Sequence, residues 1–112
     1  MFKREWLIKM GLKEENLKAF YNTGLSMYPT LAEEDILLLD ESQRHPLNGK
    51  IYAIRRQNGE ISIKRLVHTM TNGWIIRSDN SDKRHYPDEL ASEHEIEGLE
   101  IIGRIVWHGG IL

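Results

Sequence analysis

Apolar positions change period several times along the chain, and each change marks an expected element. Residues 3–10 (Lys-Arg-Glu-Trp-Leu-Ile-Lys-Met) bring Trp6, Leu7 and Met10 to one helical face. That spacing predicts a short amphipathic helix, which Gly11 would stop. Residues 13–16 are polar, and 17–22 suit a first strand. Between Asp35 and Asp40 stands the run Ile36-Leu37-Leu38-Leu39. Four apolar residues between charges suit a strand buried on both faces, and equally a buried helical turn. His45 to Gly49 reads as a loop. Lys50 to Gln57 and Glu60 to Val67 flank Asn58-Gly59, which predicts a hairpin with a type I′ turn. Asn72-Gly73 precedes a further strand at Trp74-Ile75-Ile76-Arg77. Residues 78–95 are polar and predict a long loop with at most one helical turn. Leu99 to Leu112 reads as a long closing strand, bulged at Gly103. The expected fold is mostly β with a short N-terminal helix.

With 112 residues the chain suits one compact domain spanning 1–112, large enough to bury about two-thirds of its unfolded surface. The absence of cysteine removes disulfides, thiolate metal sites and a thiol nucleophile, and fits a reducing cytoplasm. The net charge of −2 gives no basic excess for gripping nucleic acid. A DNA reader, if one belongs to the protein, lies outside these residues. Charges interrupt every apolar run in 1–12, so no signal peptide or anchor is expected there, and no later run approaches a membrane span. The five histidines lack a paired spacing such as His-x-x-x-His, so neither a metal nor a cofactor is expected.

The segment that can carry chemistry is Gly24-Leu25-Ser26-Met27-Tyr28-Pro29-Thr30-Leu31, between two strand-like stretches. Pro29 suits the first position of a short helical turn. A serine just before such a turn is exposed at a chain reversal, where the amides of Ser26 and Met27 could hold an oxyanion. A serine hydroxyl needs a base. No histidine has a motif tying it to Ser26, and Tyr28 breaks the Gly-x-Ser-x-Gly elbow. Lys64, on the second arm of the hairpin, could serve if its pKa fell from about 10.4 to about 7, a demand of about 5 kcal/mol on the fold. Ser26 could equally be a turn residue, and Lys64 a solvated strand lysine. The residues alone do not bring the two together.

Taken in order, several blocks resemble the LexA-like peptidases, which include LexA, lambdoid phage repressors and UmuD, with bacterial signal peptidases as more distant relatives. Ser26-Met27-Tyr28-Pro29-Thr30-Leu31 followed by Asp35 to Asp40 resembles the family's nucleophile region. Lys64-Arg65-Leu66 stands 38 residues after Ser26, where the family carries its lysine. Ile51 to Ile54, Arg77-Ser78-Asp79-Asn80, Tyr86-Pro87 and Gly103 to Trp107 resemble later blocks, and Phe2 to Leu12 resembles a segment preceding the domain in phage-type repressors. Leu25 stands where the family has Asp, and Glu34 where it has Gly. The resemblance implies a LexA/signal-peptidase-like complex β fold with a Ser26–Lys64 dyad in a cleft. It also implies a homodimer that reaches operator DNA only through a helix-turn-helix head absent from this chain.

Family members cut their own chain at an Ala-Gly or Cys-Gly bond ahead of the domain, commonly triggered by a recombinase filament. Neither dipeptide occurs here. The resemblance therefore implies the C-terminal, autoproteolytic serine peptidase domain of a cytoplasmic transcriptional repressor. The competing readings are a non-catalytic dimerisation module with an idle dyad, and a signal-peptidase-like protease acting in trans. The stretch Ile101 to Leu112 is a candidate for pairing or packing across a two-fold axis, and core burial explains it equally well.

Overall fold

A computed structural model describes residues 2–110. In chain order the elements are α1 (Arg4–Lys9), a single 3-10 turn (Glu14–Asn16), β1 (Leu17–Tyr21), β2 (Ile36–Asp40), β3 (Lys50–Arg55), β4 (Ile61–His68), β5 (Gly73–Arg77), β6 (Glu89–Ser92), α2 (Glu93–Glu97) and β7 (Glu100–Gly109). The strands form one antiparallel sheet in the order β1-β2-β7-β3-β4-β5-β6. The fold is thus mostly β, as the patterning predicts.

Three apolar clusters hold the sheet. Leu7 and Leu12 seat the N-terminal segment on Leu38, with Trp6, Val106 and Trp107 packed beside them. Phe2 stacks on Trp6 and meets Trp107 edge-on. Met10 departs from the expected helical face: it is the C-cap residue and 51% exposed. At the other end Tyr52, Ile54, Leu66, Trp74 and Ile76 pack with Ile96 of α2 and Ile101. The central cluster joins Met27 and Leu31 to Leu37, Leu39, Ala53 and Ile105.

Three local expectations need correction. The hairpin at Asn58-Gly59 forms, but not through a type I′ turn, which needs positive φ at both central residues. Only Gly59 is left-handed (φ 86°). Its amide donates to the Arg56 carbonyl (2.9 Å) and Arg56 N to the Glu60 carbonyl (2.7 Å), so three residues bridge the strands with Gly59 last. The segment 78–95 holds an edge strand, β6, as well as the start of α2. Its sequence Glu-Leu-Ala-Ser carries no apolar alternation, because only Ala91 packs on the core while Leu90 is 82% exposed. In β7 the register slips leave Ile102 and Val106 as the extra residues, so the bulges flank Gly103. Gly103 serves a close approach instead: a Cβ there would stand 2.5 Å from the Asp40 carbonyl oxygen.

β7 pairs with β2 along its second half, from Arg104 to Gly109, and with β3 along its first half, from Glu100 to Arg104. On the β3 side residues 105–109 have no strand partner among the described residues, and Ile111 and Leu112 lie outside the described residues. Glu34 has φ 69°, so the backbone there does need the left-handed region that the family's glycine supplies, at a cost of about 1 kcal/mol for Glu. The buried Asn22 braces that loop. Its amide donates to the Asp35 carbonyl, its side chain to the Ala32 carbonyl (2.9 Å), and its own carbonyl accepts from Glu34 N.

Candidate active site

Ser26 sits in the loop that carries the chain from β1 to β2. The burial of Met27 and Leu31, each 1% exposed, fixes that loop to the core. Burying two such side chains contributes about 3–6 kcal/mol to holding it. Between these anchors the chain turns rather than forming the expected helical turn at Pro29. Tyr28 N donates to the Leu25 carbonyl (3.1 Å) and Leu31 N to the Met27 carbonyl (2.9 Å), and the Tyr28–Pro29 peptide is cis. Ser26 is left half-buried at the mouth of a cleft of about 360 Å³.

Lys64, from the middle of β4, lines the same cleft. Phe20, Leu39, Ala53 and Ile102 supply apolar lining, and residues 21–23 and 61–63 border it. The Lys64 Nζ donates to Ser78 Oγ at 2.6 Å, and no hydrogen bond joins it to Ser26 Oγ. Its pKa is lowered, first by burial and then by the neighbouring Arg56; Glu89 and Asp88 oppose that shift and Lys83 adds to it. Each of these cations has a carboxylate of its own: Arg56 pairs with Glu89 (2.6 Å) and Lys83 with Asp88 (2.9 Å). The surroundings push Lys64 toward the neutral form that a base requires.

Immediately after β5, the tripeptide Ser78-Asp79-Asn80 ties these parts together. Ser78 is fully buried and holds Lys64. Asp79 takes three hydrogen bonds from the Arg65 guanidinium (2.9, 3.2 and 2.6 Å) and one from Thr30 Oγ1 (2.6 Å), so it joins β4 to the Ser26 loop. Burial alone would raise its pKa; the bonds from Arg65 and Thr30 and the charges of Arg65 and Arg77 hold it below the ordinary carboxylate range. Asp79 N donates to Met27 Sδ (3.4 Å). Asn80 N donates to the Ser26 carbonyl (3.0 Å), and its side chain to the Leu25 carbonyl (2.8 Å). Sequence reasoning singled out Ser26, Met27 and Lys64 but gave this tripeptide no task. Its only signal was the resemblance of the block Arg77 to Asn80.

Among the described residues no cluster of three or more His, Asp or Glu side chains could hold a metal ion, and no helix is long and apolar enough to cross a membrane.

The chain is 33% identical over 105 residues to an uncharacterized HTH-type transcriptional regulator of Haemophilus influenzae, a match covering 94% of this chain and 42% of the relative. It is 29% identical over 110 residues to the repressor protein CI of Enterobacteria phage phi80, covering 96% and 43% respectively. The HTH-type transcriptional regulator PrtR of Pseudomonas aeruginosa is 30% identical over 87 residues, covering 76% of this chain and 33% of that protein. The chain thus spans less than half the length of these curated relatives. The family model described as Peptidase S24-like matches residues 1–106, nearly everything from α1 through β7, and with that match the chain belongs to the S24-like peptidase family.

Proposed function

We propose that the chain is the C-terminal peptidase and association domain of a transcriptional repressor that inactivates itself by cutting its own backbone. The observation that carries this reading is that Ser26 and Lys64, 38 residues apart in sequence, line one cleft, with Lys64 driven toward neutrality by burial and neighbouring cations. The relatives' names supply the repressor setting. A homodimer of such domains would hold two DNA-binding heads on paired half-sites in the cytoplasm, and cutting the connection would release them. A recombinase filament is the proposed trigger.

In the reaction, neutral Lys64 takes the proton of the Ser26 hydroxyl. Ser26 Oγ attacks the carbonyl carbon of a peptide bond held extended between residues 21–23 and 61–63. The amides of Ser26 and Met27 receive the oxyanion. The C–N bond then breaks, and protonated Lys64 passes its proton to the leaving amine. Water hydrolyses the acyl-serine in the second half, with Lys64 again as base. The lysine nitrogen must reach Ser26 Oγ for the first step, so it has to swing from Ser78 or hold both hydroxyls.

The test is self-cleavage of the parent chain that carries this domain behind a helix-turn-helix head. Ser26→Ala and Lys64→Ala are each expected to abolish it while leaving the far-ultraviolet circular dichroism unchanged. Cleavage that survives Lys64→Ala overturns the dyad. The hydrogen bond from Lys64 to Ser78 favours one alternative, a dimerisation module whose dyad is idle. That module would show no pH-dependent cleavage in the parent chain.

A further inference from the structure

We infer that Asn80 is a positioning residue for acyl transfer at Ser26: by holding two consecutive carbonyls it keeps the Ser26 and Met27 amides aimed and free. In a planar trans peptide the C=O and the following N–H point in opposite directions. The Leu25–Ser26 and Ser26–Met27 peptides are both trans. Asn80 Nδ2 donates to the Leu25 carbonyl (2.8 Å) and Asn80 N to the Ser26 carbonyl (3.0 Å). Both carbonyls therefore face loop 78–80, and both following amides face away from it. Among the described residues neither amide donates a hydrogen bond, whereas the Leu25 carbonyl also accepts from Tyr28 N and so has both lone pairs engaged. Two unpaired donors on one side of a tight turn, beside a serine hydroxyl, form an arrangement suited to an oxyanion.

The orientation of the Asn80 amide is forced by its partners. Its oxygen accepts from Asp82 N (2.9 Å), which leaves the NH2 group for the Leu25 carbonyl. Asn80→Asp therefore isolates the donor: it keeps shape and the bond from Asp82, and sets a carboxylate oxygen against the Leu25 carbonyl. A residue needed only to fill space would tolerate that change. A residue that aims the turn would not.

The catalytic consequence rests on the peptidase reading, so the experiment reads two quantities on this 112-residue chain. One is cleavage in trans of a synthetic extended peptide containing an Ala-Gly bond. The other is the amide nuclear magnetic resonance spectrum. In Asn80→Asp and Asn80→Ala, kcat is expected to fall about 10- to 100-fold, with KM within about twofold and the pH of half-maximal rate unchanged, because Lys64 keeps Ser78. The Ser26 and Met27 amide signals are expected to move or broaden while those of β3 and β4 stay in place. Full kcat in Asn80→Asp, or unchanged Ser26 and Met27 signals in both variants, overturns the role of Asn80. A parent chain that never cuts itself overturns the peptidase reading instead, and the amide signals of the 112-residue chain then still decide whether Asn80 orients the turn.

Discussion

At the scale of single residues, the proposed chemistry turns on one hydrogen bond. The Lys64 ammonium donates to Ser78 Oγ, a bond that favours the charged form, while burial, Arg56 and Lys83 favour the neutral one. The net shift is downward, so cleavage is expected to rise with pH as Lys64 loses its proton, reaching half-maximum below the ordinary lysine value. Ser78→Ala removes the acceptor and with it support for the charged form. The rising limb of the pH–rate profile should then move to lower pH, measured as initial cleavage rates across the series. A limb that moves to higher pH, or stays, would mean that Ser78 does not hold the ammonium. That Ser26 and Lys64 would line one cleft was legible through their two ordered blocks, each matched to the family pattern. Ser78 and Asn80 were not, because a serine and an asparagine after a strand are also ordinary turn residues. Their role appears only when β5 delivers them beside β4 and the Ser26 loop, contacts with partners 14 and 55 residues away in sequence.

Elements were legible where apolar runs are continuous or where turn residues separate them. The run Ile36 to Leu39 became a strand with its inner residues buried, and the arms on either side of Asn58-Gly59 paired. The edge strand β6 escaped because an edge needs backbone partners on one side only and little apolar surface, so its residues carry no period. The hairpin turn escaped for another reason: the dipeptide Asn-Gly fits both a two-residue turn and a three-residue turn ending in a left-handed glycine. Gly103 is the element-scale feature with the sharpest consequence. It lets β7 lie against the carbonyl of Asp40 at the end of β2, and a Cβ would also stand 2.9 Å from Leu39 Cδ1. A carbonyl on a paired strand cannot step aside as a side chain would. Gly103→Ala is therefore expected to cost about 2–3 kcal/mol, read as a lower urea midpoint with an unchanged slope. The cleft should suffer too, since Leu39 and Ile102 line it. A midpoint equal to wild type would mean that β2 and β7 separate more easily than their ladder implies.

For the whole molecule, the joint that matters most is Asp79, where the Ser26 loop, β4 and the end of β5 meet. Its carboxylate is 8% exposed and binds Thr30 and Arg65, with Arg77 at 3.9 Å. Its pKa in the folded chain lies below the unfolded value of 3.8. The unfolded chain therefore binds the proton first as pH falls, so Asp79 stabilises the fold fully above its unfolded pKa and loses that contribution as pH drops through the folded one. Asp40 shifts in the same direction: burial would raise it, but bonds from Ser42 and Gln43 and the charge of Arg104 hold it down. Lys64 works with the opposite charge. Its folded pKa lies below 10.5, so charging it costs stability at low and neutral pH, a cost that disappears as pH rises toward the unfolded value. All three trends make the chain less stable in acid than in alkali. Urea midpoints should accordingly fall between pH 5 and pH 2. Asp79→Asn should lower the midpoint at pH 7, by about 2 kcal/mol for an incompletely buried pair, and should flatten part of the acid dependence while leaving the share due to Asp40. A variant with the wild-type acid slope would mean that Asp79 does not carry the joint, and that Met27 and Leu31 alone hold the Ser26 loop against β4.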